Sequence, residues 1–222
     1  MRASRNAALS IVLLLGAIAA GGLALRIPAA RAETATQVEP ADAEARAPVV
    51  RLQDKLIDVM KRADGLGFEG RRRELAPVVE ETFDIEFMAR TSIGRAWLEL
   101  TPELRSRWVE CFSRYTASKF ADQFKKFSGQ KFVLHGERPA SHGTRVVMTS
   151  LERVGREPVR LDFRVQRGDS GWQIIDVYGK GTVSELALRR SEYEPILKDG
   201  GIERLIETVD ALTARTASKS AS

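Results

Sequence analysis

The sequence predicts an α+β fold: a curved, mostly antiparallel sheet of four to five strands covered by amphipathic helices, with an apolar cavity between the layers. Three observations carry this. Within residues 131–178, Val159, Leu161, Phe163 and Val165 alternate with Arg160, Asp162, Arg164 and Gln166, the period of a strand with one buried and one wet face. Around it lie Phe132 and Leu134, then Val147, Thr149 and Leu151, then Trp172, Ile174 and Asp176 interleaved with Gln173, Ile175 and Val177. The connections at 140–143, 155–158 and 167–171 are short, polar and rich in Gly or Pro, as hairpins require. On both sides the apolar residues recur at helical spacing, so the layer covering the oily face is helical.

In chain order, Arg2 and Arg5 precede an uncharged stretch, 7–25, and Ala30-Arg31-Ala32 supplies the small residues that a signal peptidase reads. Residues 1–32 therefore have the layout of a secretory signal peptide, with an uncleaved anchor as the alternative. Residues 33–47, rich in Ala, Glu, Thr and Pro, are expected to be a disordered leader. The folded domain is predicted over 48–212. It opens with Val49, Leu52, Leu56, Val59 and Met60 at helical spacing, stopped by Gly65 and Gly67. A second helix, about 71–82, leads to Asp84, read as the N-cap of a short helix carrying Phe87 and Met88. Thr101-Pro102-Glu103 then opens a helix with a cap and a proline at its first position. Along it Leu104, Trp108, Cys111, Phe112, Tyr115, Phe120, Phe124 and Phe127 recur every few residues, forming one aromatic wall. After the sheet, Val183, Leu186, Ala187, Ile196 and Leu197 form a helix that Gly200-Gly201 stops, and Ile202, Leu205, Ile206, Val209 and Leu212 form the last. Residues 213–222 are expected to be a flexible tail.

Charge excludes one class of partner. Four of the 35 basic residues, Arg2, Arg5, Arg26 and Arg31, fall in the first 32 positions, where there is no acid; the remainder nearly balances the 30 acidic residues. A nucleic-acid partner would need a net basic face, so none is expected. The single cysteine, Cys111, excludes an intramolecular disulfide, and its apolar helical setting reads as an inert thiol. Neither His135 nor His142 has a carboxylate partner visible in sequence, and no hydrolase, zinc-protease, phosphate-loop or dinucleotide motif occurs. Asp176 reads either as a buried base in a cone-shaped sheet or as a structural acceptor for a backbone turn. No metal, cofactor or catalytic residue is assigned.

The remaining signal is hydrophobic. A gap between an aromatic helical wall and an apolar sheet suits a ligand that water rejects. The candidate lining is Phe83, Phe87, Trp97, Trp108, Phe112, Tyr115, Phe120 and Phe124 from helices, with Val147, Leu161, Phe163, Val165, Trp172 and Tyr178 from strands. Arg90, Lys180 and Arg190 are candidates for its mouth.

Phe83-Asp84 with Met88-Ala89-Arg90, then Gly94 and Trp97, then Gly171-Trp172 with Ile174-Ile175-Asp176-Val177, and finally Gly200-Gly201 with Leu205-Ile206, resemble the toluene-tolerance, MlaC-like family of periplasmic lipid carriers. The sheet ends differently from the phospholipid carriers of that family. Here Gly179-Lys180-Gly181-Thr182-Val183-Ser184 and then Arg189-Arg190-Ser191-Glu192-Tyr193 resemble the HpnM branch associated with hopanoid biosynthesis. The resemblance implies a non-catalytic periplasmic carrier that shields a hopanoid or related polycyclic lipid between inner and outer membranes. It also implies transient contact with an inner-membrane RND-type hopanoid transporter or, in the phospholipid version, an ABC lipid transporter. The rivals are a phospholipid carrier, an enzyme of a cone-shaped fold acting on an apolar substrate, and a structural partner of a transporter with a filled core.

Overall fold

The structure is a computed structural model that describes residues 40–221. The predicted signal peptide lies outside the described residues. The sheet has five antiparallel strands in the order β1-β2-β3-β4-β5: β1 (Lys131–Pro139), β2 (Arg145–Arg153), β3 (Arg156–Gly168), β4 (Gly171–Gly179) and β5 (Val183–Ser184). Register places Val147 opposite Phe163 and Phe163 opposite Val177, so the alternation in β3 becomes a continuous apolar face across the central strands.

Three register shifts break the alternation, one of them between Leu151 and Arg153 beside the β2–β3 turn. In β1 the register shifts between Leu134 and Gly136. In β4, Arg164 faces Asp176 while Val165 faces Ile174, which makes Ile175 the extra residue. Trp172, Ile174 and Val177 consequently share the apolar face, whereas Asp176 and Tyr178 turn to the other. Tyr178, predicted in the lining, sits opposite Asp162 instead. The cause is the inserted residue, which inverts side-chain parity beyond it.

Helix α1 (Pro40–Lys61) lies against β1 through β4 and buries Ala45, Val49, Leu52, Leu56 and Val59, a 4-3-4-3 stripe. It starts inside the segment read as a disordered leader. Ala45 and Val49 are fully buried, and Arg46 Nε lies 3.1 Å from a Glu137 carboxylate that Arg145 also reaches at 2.5 Å. These tertiary contacts order a stretch whose composition alone would leave it loose. Within the interface, Gln53 Nε2 donates to Thr149 Oγ1 at 3.0 Å.

Helix α2 (Ala63–Thr82) turns at Gly67, whose φ of 60° and ψ of −173° demand glycine. Arg71 beneath it is buried and donates to the Ala121 and Ala63 carbonyls, serving helix ends that would otherwise lack partners. A parallel bridge between Phe83 and Ile174 joins the end of α2 to β4. Helix α3 (Ile85–Ile93) then begins with Asp84 Oδ1 accepting from Phe87 N at 2.9 Å, the cap predicted from sequence.

Helix α4 (Pro102–Gln123) is capped by Thr101, as predicted, and stops before Phe127, which stands in the following loop. Helix α5 (Glu185–Ala221) bends at Gly200-Gly201. Its first arm runs antiparallel to α4, with Tyr193 against Trp108 and Arg189 over Tyr115. Its second arm runs parallel, pairing Glu203 with Arg107, Asp210 with Arg114 and Ser220 with Asp122. The predicted flexible tail is therefore helical to Ala221, with Ala217 packed against the core.

Gly201 has φ 67° and ψ −164°, a region that excludes side chains. Gly201→Val is expected to lower unfolding free energy by about 1–3 kcal/mol through backbone strain, measured by urea denaturation.

Candidate functional site

Aromatic side chains run from the helices to the edge of the sheet as a connected row. Phe83 and Phe120 have ring centroids 5.7 Å apart, Phe120 and Phe124 6.0 Å, and Phe124 and Phe132 6.2 Å. Pairs at these separations attract beyond their area burial. The row sits above the apolar face of the sheet, and the exposure of that face changes along the strands. Val147, Phe163, Val165 and Ile174 are fully buried. Toward the β2–β3 turn, Leu151, Leu161 and Val177 are only partly covered, as are Phe120 and Phe132, and Leu134 on the β1 edge is 42% exposed. The apolar seam between the aromatic row and the sheet is thus fully buried at one end and only partly covered at the other, its more open end.

The open end has a polar border. Lys119 precedes Phe120 on α4, and its pKa is lowered by burial and by the Arg189 charge. A Glu185 carboxylate oxygen lies 3.8 Å from where a Cβ on Gly179 would stand, and burial pushes its pKa up. Gly179 pairs with Leu161, so these two charges flank the seam rather than line it.

The remaining candidates divide by layer. Trp108, Phe112 and Tyr115 belong to the helical core: Trp108 Nε1 donates to the Ala89 carbonyl at 2.9 Å and its ring meets Phe112 and Tyr193 edge-on. Trp97 is buried under the Arg105 guanidinium, and Phe87 is half-buried beside that of Arg90. Of the three cations predicted at the mouth, Lys180 follows Gly179 at the open end. Arg190 packs on Gly94 and Arg90 on α3, away from it. Phe132, Leu151 and Val177 were not among the predicted lining. Phe132 and Leu151 follow the same alternation as their neighbours; Val177 was masked by the bulge.

Trp172 borders a different concavity, a cleft of about 650 Å³ beside Glu44, Arg51, Glu81 and Arg167. Its rims are the ion pairs Arg51–Glu81 and Arg167–Glu44, which suit it poorly to burying hydrocarbon.

The groups considered for chemistry have structural roles. Asp176 accepts from Val177 N at 2.8 Å, Leu186 N at 3.1 Å and Ser184 Oγ at 2.5 Å, bracing the start of α5. Burial raises its pKa against the pull of these donors. His135 Nε2 is 2.8 Å from Ser150 Oγ, and His142 occupies a turn at φ 58°. Among the described residues, no cluster of His, Cys, Asp or Glu could hold a metal ion, and no helix is long and apolar enough to cross a membrane.

Fold and seam together define a helix-covered antiparallel sheet whose apolar face is fully buried at one end and partly covered at the other. The profile of the MlaC protein family matches residues 50–211, and the chain belongs to that family. Among solved structures it is similar to the phospholipid-binding protein from Ralstonia solanacearum, determined in complex with a phospholipid. The TM-score is 0.69 at 21% identity, covering 78% of this chain and 99% of that one. No curated protein matches.

Replacing Asp176 by Ala strands three donors and is expected to cost about 1–3 kcal/mol of stability without changing lipid content, read by urea unfolding and by extraction of the purified variant. The Cys111 thiol, pushed up to about 12 chiefly by burial, should resist alkylation at pH 8 in the native protein and react promptly in urea, checked by mass spectrometry.

Proposed function

We propose that this protein is a non-catalytic periplasmic carrier that holds the apolar part of a lipid in the seam between the aromatic row and the sheet during transfer between the inner and outer membranes. The observation that carries the reading is the gradient along the apolar face, fully buried at Phe163 and Val165 and open at Leu161, Leu151 and Phe132. An interior of this kind removes hydrocarbon from water at about 0.8 kcal/mol per methylene, or about 12 kcal/mol for a sixteen-carbon chain. The rings of Phe120 and Phe132 occupy the open end, so cargo enters by turning them aside. Family membership supports the carrier class.

Two cargoes have support. The sequence from Gly179 to Tyr193 resembles the hopanoid-associated branch, favouring a polycyclic lipid delivered by an RND-type inner-membrane transporter. The similarity to a protein solved with a phospholipid favours a phospholipid cargo, for which the family resemblance implies an ABC-type partner. Organic extraction and mass spectrometry of protein purified from its own host separates them: a hopanoid supports the first, a phospholipid the second, and an empty protein after mild purification overturns the carrier reading. Leu161→Asp at the half-open position is expected to reduce retained lipid at least about fivefold while the protein remains folded, whereas Phe163→Asp in the closed part should prevent folding. Retention by Leu161→Asp equal to that of the parent protein would place the cargo elsewhere.

A further inference from the structure

At the open end of the seam, two apolar side chains project from neighbouring loops. Val154, at the tip of the β2–β3 turn, is 81% exposed, and Phe127, in the loop between α4 and β1, is 38% exposed. Their two loops approach each other at Gly129: a Cβ there would lie 3.2 Å from Val154 Cγ2, and its φ of 81° is one that side chains rarely adopt. Glycine suits both that backbone angle and the close approach of the loop to the turn. Leu151, Phe132 and Val159 lie on the rungs behind Val154, so the projecting residues continue the seam's apolar surface outward.

Cations surround these tips. Lys61 Nζ lies 5.7 Å from the Phe127 ring centroid, Lys125 and Lys126 precede Phe127, and Arg153 and Arg156 face each other across the turn. Lys131 begins the β1 edge. The acids here are fewer. Asp122 is held by Lys125 and Ser220, Glu152 is held by Lys131, and Asp64 and Glu157 complete the set. The adjoining Lys55–Asp58–Arg62–Glu74 network carries two charges of each sign and adds none. Exposed apolar residues ringed by excess cation match the two components of an anionic bilayer surface, an apolar boundary beneath a layer of negative headgroups.

We propose that this end of the molecule, the loop 124–130 with the turn 153–156, docks on an anionic phospholipid bilayer, with Phe127 and Val154 entering the headgroup layer. Docked this way, the half-open seam faces the membrane. That last consequence rests on the carrier reading; the docking does not.

The test is flotation of protein recovered from periplasmic extract with two kinds of vesicle. Binding to vesicles of phosphatidylglycerol and phosphatidylethanolamine should exceed binding to phosphatidylcholine alone by about tenfold, and high salt should erase the difference. The double variant Phe127→Asp with Val154→Asp should lose about tenfold in binding to the anionic vesicles, and so should Lys126→Glu with Arg156→Glu, each with an unchanged urea midpoint. Undiminished flotation of both variants, equal binding of the parent to the two vesicle types, or no flotation at all would overturn the proposal; the last outcome would leave this surface to a protein partner. Lipid content measured on the same samples reports separately on the cargo: vesicle binding by a protein that carries no extractable lipid would sink the carrier reading and leave the docking intact.

Discussion

An antiparallel sheet with one apolar face cannot stand in water, and its burial beneath α1 is the interaction on which the rest of the molecule depends. The stripe from Ala45 to Val59 meets the row Val147, Phe163 and Val177, and Gln53 reaches Thr149 within that interface. Coverage is complete at Val147, Phe163 and Val165 and only partial toward the β2–β3 turn, at Leu151, Leu161 and Phe132.

The polar groups inside the molecule hold this arrangement in place. Glu137, with only 1% of its side chain exposed, meets Arg46 from α1 and Arg145 from β2, so the start of α1 is tied to the sheet by charge as well as by packing. A buried ion pair is weak evidence of net stability, but loss of one partner strands the others. Asp176 plays a comparable part at the other end of the chain, fixing where β4 gives way to α5. Both features belong to a scaffold that positions an apolar interior.

Much of this was legible in the sequence because its causes are local. The alternation in β3, the Asp84 and Thr101 caps and the break at Gly200-Gly201 each follow from the chemistry of a few adjacent residues, and all appear where they were expected. What the sequence concealed depends on distant partners. Composition made 33–47 look loose, yet from Pro40 onward it is helical because Glu137, some ninety residues on, receives Arg46. The tail past Thr213 looked free, yet Ser220 bonds to Asp122. Tyr178 looked like lining until the bulge at Ile175 reversed it. The aromatic wall on α4 proved to be two groups, because the helix meets other helices along Trp108 to Tyr115 and joins the aromatic row above the sheet only at Phe120. Helical spacing marks apolar positions without saying which layer each will face.

The bond between Ser220 and Asp122 has a practical corollary. It brings the carboxyl-terminal end of α5 to the last turn of α4, within the neighbourhood of Phe124. An environment-sensitive fluorophore attached through a cysteine introduced at the neighbouring, exposed Lys219 leaves that bond in place and would report changes in the surroundings of Phe124, and the shielded native thiol of Cys111 would not compete for the dye.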